Sequence, residues 1–178
     1  MFINKILILI IIFNFFIQNI FSDEAKCIKC ICQHESGCKP LGCHWDVNSN
    51  SCGYFQIKLP YYTDCNSPGR KNGESMDSAW KKCSKDYNCS VKCFKAYIKR
   101  YQSKCPAKMN SCEKMSRIHN GGPGGCGNSN TNKYWEAIKK YYIFNFLKSL
   151  KMILKIIRKL VILLALLWKT ILGFFFTV

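Results

Sequence analysis

The sequence predicts a small, disulfide-rich α+β domain, mostly helical with a minor β-hairpin. Segments with apolar residues at helical spacing bracket one short region of strand-like character. Between Cys27 and Cys126 the chain carries all 13 of its cysteines, a density that reads as a disulfide framework formed in an oxidising compartment. They are Cys27, Cys30, Cys32, Cys38, Cys43, Cys52, Cys65, Cys83, Cys89, Cys93, Cys105, Cys112 and Cys126. No internal repeat is present.

The first helix is expected over Ala25 to Ser36, with Cys27, Cys30 and Ile31 on one face and Ile28, Cys32 and Glu35 on the adjoining one. Gly37 supplies a stop. His44 to Val47 and Gly53 to Lys58 are runs of aromatic and branched residues, and the polar Asn48-Ser49-Asn50-Ser51 between them predicts a hairpin turn. Lys85 to Lys104 reads as a helix with Cys89, Cys93 and Ala96 on one stripe and Phe94, Tyr97, Ile98 and Tyr101 beside it. Further helices are expected over Ser111 to Ile118 and Asn132 to Tyr142, separated by the loop-forming Gly121-Gly122-Pro123-Gly124-Gly125.

The outer segments differ in kind. Met1 to Ser22 places Lys5 before the apolar run Ile6 to Phe13, the layout of a secretory signal peptide. Residues 23–140 form the domain, and 141–178 a basic hydrophobic tail. The net charge is +17. From Asp23 to Lys140 there are 20 basic and 10 acidic residues, and beyond Lys140 six basic and no acidic ones. That balance points to an acidic partner, either bacterial wall or an anionic membrane surface; secretion disfavours nucleic acid. Cys27, Cys30, Cys43 and His44 are zinc-ligand types, but a second cysteine pair at finger spacing is missing and the compartment favours disulfides. No metal and no cofactor are expected.

Glu35 and Asp46 are the candidate chemistry. Hydrolysis of a glycosidic bond needs one carboxyl that donates a proton and one carboxylate that attacks or stabilises the anomeric carbon. Their environments must push the two pKa values apart. Glu35 is expected near a helix carboxyl end, where the macrodipole opposes negative charge, and beside Ile28 and Cys32, where desolvation acts the same way. Both favour keeping the proton. Asp46 borders Asn48, Ser49, Asn50 and Ser51, all able to donate to a carboxylate. On spacing alone, a solvated helix residue and a turn-former are the better explanation of these two acids.

A resemblance decides between them. Cys30-Ile31-Cys32-Gln33-His34-Glu35-Ser36-Gly37-Cys38, then Gly42-Cys43-His44-Trp45-Asp46-Val47, then Ser51-Cys52-Gly53-Tyr54-Phe55-Gln56-Ile57-Lys58 resemble the opening of the invertebrate-type (i-type) lysozymes, the family that includes the destabilases. Tyr61-Tyr62-Thr63-Asp64-Cys65, Arg117-Ile118-His119-Asn120-Gly121-Gly122-Pro123-Gly124-Gly125-Cys126 and Tyr134-Trp135 continue it in order. The likeness runs from about Cys27 to Trp135. It implies a lysozyme-like fold and hydrolysis of the β-1,4 bond between N-acetylmuramic acid and N-acetylglucosamine, with Glu35 as general acid and Asp46 as nucleophile or stabiliser. A retaining outcome is implied as well. Trp45 stands where the family commonly has Met.

The resemblance also frames the supporting residues. Trp45, Tyr54, Phe55, Tyr61 and Tyr62 are candidates to line a sugar cleft, with core packing the competing role for each. Gln56, His119 and Asn120 are further substrate-binding candidates, with polar scaffolding as the alternative. Some destabilase-like members are credited with isopeptidase activity, and Ser49, Lys58 and His119 occupy the matching positions. Family domains carry an even set of cysteines, the last shortly after Tyr-Trp. Here that cysteine is missing, so one of the 13 is expected to be free or bonded to another chain.

Three readings of the tail stay open: a membrane span over Leu160 to Val178, an interfacial basic segment, or a lineage-specific extension. A rival to the enzyme is a cationic antimicrobial binder acting on membranes without hydrolysis.

Overall fold

The computed structural model describes residues 23–175, with side chains throughout except at Asp23, Phe146, Ser149 and residues 163–175. The leader expected over Met1 to Ser22 lies outside the described residues, and so does most of the side-chain pattern of the expected span. The chain divides into two compact units, Met1–Tyr142 and Ile143–Val178.

In the first unit, α1 (Asp23–Ser36) is followed by three short strands, β1 (His44–Asp46), β2 (Ser49–Cys52) and β3 (Ile57–Lys58). Helices α2 (Leu59–Asp64), α3 (Met76–Lys85), α4 (Tyr87–Tyr101) and α5 (Ser111–Gly121) come next, with 3₁₀ turns at Gln102–Lys104 and Gly122–Gly127. The last helix, α6 (Thr131–Phe175), begins in this unit and makes up the described part of the second. The expected α+β class, helical with one small sheet, holds.

The local chemistry explains most boundaries. Asp86 is extended (φ −97°) and its side chain accepts from the Cys89 N–H at 2.7 Å, which starts α4 there. This cap breaks the single helix expected over Lys85 to Lys104 into the end of α3, α4 and a 3₁₀ turn. Ser75 caps α3 by accepting from the Ser78 N–H, and Pro60 sits in the first turn of α2, where its missing N–H costs nothing. Neither α2 nor α3 was foreseen. Asn110 caps α5 by accepting from the Glu113 N–H at 2.8 Å.

The sheet corrects the expected hairpin. Its strands are antiparallel in the order β1-β2-β3, pairing Asp46 with Ser49, His44 with Ser51, and Ser51 with Lys58. The turn between β1 and β2 is therefore Val47-Asn48, with φ of 37° and 64°, the left-handed pair that a two-residue hairpin requires. The residues expected as turn, Asn48 to Ser51, instead supply most of β2. A branched Val disfavours positive φ, so composition points away from the true turn. The Cys43–Cys52 bridge clamps the ladder just outside the His44–Ser51 pair and fixes this register.

Six disulfides staple the described unit: Cys27–Cys112, Cys32–Cys38, Cys43–Cys52, Cys65–Cys93, Cys83–Cys89 and Cys105–Cys126. Cys27–Cys112 ties α1 to α5, Cys65–Cys93 joins the end of α2 to α4, and Cys83–Cys89 links α3 to α4. Cys30, buried on α1, lies outside all six. Phe55, Tyr62, Phe94, Ile31, Ile57, Ile118 and Ile138 are the large fully buried side chains. Trp80 donates its indole N–H to the Ile57 carbonyl at 2.9 Å, anchoring β3 to α3.

Gly53 fixes the approach of the sheet to α3. Its φ is +75°, and a Cβ there would lie 1.7 Å from the Ser84 carbonyl oxygen, which itself accepts from the Tyr54 N–H at 3.1 Å. Gly53→Ala is expected to destabilise the domain by about 3 kcal/mol and lower its thermal midpoint by about 10 °C, measured by circular dichroism with the disulfides intact.

Candidate active site

Glu35 lies in the last turn of α1, the end at which the helix dipole opposes a negative charge. Its side chain is 17% exposed. Two partners from distant parts of the chain converge on one oxygen. The Tyr134 hydroxyl donates to Oε1, and the His119 Nε2 lies 3.4 Å from the same atom. Oε2 takes part in neither contact.

His119 is itself held tightly. It occupies the last turn of α5 and is 5% exposed. Its Nδ1 meets the Tyr61 hydroxyl at 3.3 Å, and its ring packs against Phe55, Phe94 and Tyr61. Tyr61 in turn stacks on Tyr97 with ring centroids 3.5 Å apart. Tyr134 packs edge-on against His34. The imidazole beside Glu35 therefore has little freedom to rotate, and both its nitrogens have partners.

This cluster sets the acid's proton affinity. Burial is the largest influence on Glu35 and pushes its carboxyl up. The His119 contact, the His119 charge, the Tyr134 hydroxyl and the His34 charge together outweigh it, so the carboxyl lies below the ordinary 4.5. The expectation that its surroundings hold the proton is thus half right. Desolvation acts as foreseen, but partners from α5 and α6 reverse the balance. Tyr134 is raised well above 10 by burial, then by the Glu35 charge and hydrogen bond. Tyr61 is raised well above 10 by burial, with Tyr97 and Glu35 adding to it. Both phenols keep their protons, so Tyr134 is a fixed donor.

Asp46 ends β1, with its side chain 48% exposed. Its Oδ2 accepts from the Ser51 hydroxyl at 3.1 Å and lies 3.4 Å from the Lys58 Nζ. Lys58 also donates to the Asp46 and Val47 carbonyls. Of the four residues expected to donate, Ser51 does so, and the stronger partner is a lysine whose expected role was different.

Lys58 and Tyr61 are three residues apart, where β3 runs into α2. That short segment fastens Asp46 at one end and, through His119, the Glu35 cluster at the other. A second link comes from the Ser36 hydroxyl, beside Glu35, which donates to the Tyr54 carbonyl at 2.8 Å. The two acids are thereby braced by one loop-and-strand unit, Gly53 to Tyr61.

The remaining candidates divide. Phe55, Tyr61 and Tyr62 are core residues, and the Tyr61 hydroxyl meets His119. Tyr54 is half-buried against Tyr87. Gln56, at φ 48°, donates to the Gly53 carbonyl at 2.8 Å and braces the loop, while its buried Oε1 has no hydrogen-bond partner among the described residues. Asn120 is exposed next to His119. Trp45 is 72% exposed beside Asp46, the one aromatic of the set that core packing does not claim. Ser49, Lys58 and His119 are not brought together by hydrogen bonds: Lys58 is engaged with Asp46 and Val47, and His119 with Glu35 and Tyr61. The roles of Tyr134 and His34 were missed, although Tyr134 sits in a motif already singled out.

The destabilase family model matches residues 24–141, which contain every residue of this cluster. Invertebrate-type lysozyme 3 of Caenorhabditis elegans is 53% identical over 117 residues, covering 65% of this chain and 84% of that protein. The crystal structure of Tapes japonica lysozyme is 52% identical with a TM-score of 0.56, over 65% of this chain and 87% of that one. Meretrix lusoria lysozyme, solved in complex with Aeromonas hydrophila PliI, is 43% identical over the same shares, also with a TM-score of 0.56. The family model spans most of the chain and about half the residues agree with these relatives over some 117 positions, and on that ground the chain belongs to the destabilase family of invertebrate-type lysozymes.

Proposed function

We propose that this protein is a secreted lysozyme that hydrolyses the β-1,4 bond between N-acetylmuramic acid and N-acetylglucosamine in peptidoglycan, with Glu35 as general acid and Asp46 as its carboxylate partner. The observation that carries the reading is the pairing of a nearly buried Glu35 with His119 and Tyr134, together with an exposed Asp46 in an ion pair with Lys58. Six disulfides suit an oxidising compartment. Removal of a leader near Ser22 would leave a domain at 23–140 and the tail at 141–178. The biological roles that follow are defence against bacteria or their digestion.

A general acid must hold a proton when the glycosidic oxygen leaves, whereas the Glu35 carboxyl is lowered. The His119 contact reconciles the two. Glu35⁻ beside His119⁺ and protonated Glu35 beside neutral His119 hold the same number of protons. A sugar chain covering the site excludes water, and a drier site favours the uncharged arrangement. The proton then rests on the Glu35 carboxyl, from which it passes to the leaving oxygen. Asp46, in an ion pair with Lys58, meets the positive charge that develops at the anomeric carbon. In a retaining course Asp46 bonds to that carbon. Glu35, now ionised, then takes a proton from the water that releases the sugar. Trp45 offers an exposed ring face beside Asp46 for a sugar to stack on.

For the tail, the charge balance supports an anionic membrane surface as a second partner.

Glu35→Gln keeps the shape of the side chain and removes the proton. We expect kcat to fall about 10³-fold with the fold unchanged, measured by mass analysis of muropeptides released from purified peptidoglycan. Loss of release with intact circular dichroism supports the assignment; undiminished release refutes it.

The lowered carboxyl also ties stability to pH. Because its folded-state pKa lies below the unfolded one, Glu35 adds stability that is fully present above about 4.5 and lost as pH falls through the lower, folded value. Glu35→Gln is therefore expected to flatten the decline of the thermal midpoint below pH 4.5. A variant that declines as steeply as the parent would contradict this.

A further inference from the structure

The second unit presents a pattern that the proposed hydrolysis does not use. Lys148, Lys151, Lys155, Arg158 and Lys159 recur at intervals of three and four residues, which in a helix of 3.6 residues per turn gathers them within an arc of roughly 100°. Ile143, Leu147, Leu150, Leu154, Ile157 and Val161 recur at the same intervals on the adjoining side, within an arc of about 80°. All six are exposed, between 38% and 58%. Phe144 and Ile162 fall near the middle of the basic arc, one before and one beyond its charges along the helix. From Ala137 to the end of the chain there is no Asp or Glu, so the tail holds no acid of its own to pair with these cations.

We propose that residues 143–162 bind in the plane of an anionic bilayer surface, the apolar stripe set into the acyl boundary and the basic stripe against lipid phosphates. Charge complementarity selects this occupant. A second copy of the helix would bring more cations and no acids, so a paired apolar seam would carry uncompensated charge along its flanks. A polyanion such as nucleic acid would satisfy the lysines and leave the apolar stripe in water. Only a lipid surface answers both faces at once. A basic residue on nearly every turn from Lys148 to Lys159 makes this stretch lie along the membrane rather than through it. Among the described residues, no helix is long and apolar enough to cross a membrane. The inference extends the membrane reading of the tail and is independent of Glu35. Its consequence for a wall hydrolase is retention at the anionic surface that adjoins its substrate.

The test is co-sedimentation of the full chain with vesicles of phosphatidylglycerol and phosphatidylcholine in equal parts, and with phosphatidylcholine alone. Binding is expected to the first and not the second, and to weaken with salt. Lys148→Gln/Lys151→Gln/Lys155→Gln should weaken partitioning about 100-fold, at roughly fivefold for each lysine. Leu150→Asp/Leu154→Asp should abolish binding at moderate salt while muropeptide release from purified peptidoglycan stays at the parent level, which shows the domain folded. Glu35→Gln should bind vesicles as the parent does, so loss of hydrolysis and loss of binding are separable. Equal binding to both vesicle types, binding that survives the double Asp variant, or retention in the pellet after an alkaline carbonate wash would each overturn the in-plane reading. A concentration-dependent dimer that the double Asp variant dissolves, with no vesicle binding by the parent, would assign the stripe to a second copy instead.

Discussion

The structure is organised around the cost of keeping a carboxylate nearly buried at the carboxyl end of a helix. Both the dipole of α1 and the loss of solvent oppose that charge. The fold answers with an imidazole from α5 and a phenol from α6, brought to the same oxygen. Neither partner is locally anchored. His119 is oriented by Tyr61 and walled in by Phe55 and Phe94, and the Cys27–Cys112 bridge holds α5 against α1. Much of the small aromatic core thus doubles as a mount for one carboxylate–imidazole pair.

The second acid is handled in the opposite way. Asp46 stays half in solvent at the edge of a sheet just three strands wide, and Lys58 reaches back to its carboxylate and to the carbonyls of the turn. A lysine that neutralises a carboxylate is a poor base for a neighbouring hydroxyl. Ser49, directly across the ladder from Asp46, has no hydrogen bond to Lys58 or His119 among the described residues. The contact that engages Lys58 with Asp46 therefore weakens the case for a peptide-bond chemistry built on Ser49.

What the sequence made legible follows the range of the interactions. The first helix, the strand-rich segment and the disulfide framework arise from periodicity, turn residues and cysteine density, all local signals. Odd parity required one cysteine outside the bridges, but only the fold identifies it as Cys30. The hairpin turn was misplaced by two residues because its true positions, Val47 and Asn48, are set by a clamp at Cys43–Cys52 that overrides the preference of Val. The two acids were legible through likeness to a family. The proton affinity of Glu35 was not, since its decisive partners lie 84 and 99 residues away in sequence. Burial of Glu35 could be foreseen from its helix face, whereas the reversal by His119 and Tyr134 required the folded chain.

Direct titration of the Glu35 carboxyl by ¹³C NMR addresses the central claim most closely. In the parent protein its midpoint should lie below that of an ordinary glutamate, and replacing the Tyr134 hydroxyl in Tyr134→Phe should raise it, since that hydrogen bond lowers the carboxyl. A midpoint at or above the ordinary value in the parent, or one that Tyr134→Phe leaves in place, would contradict the account.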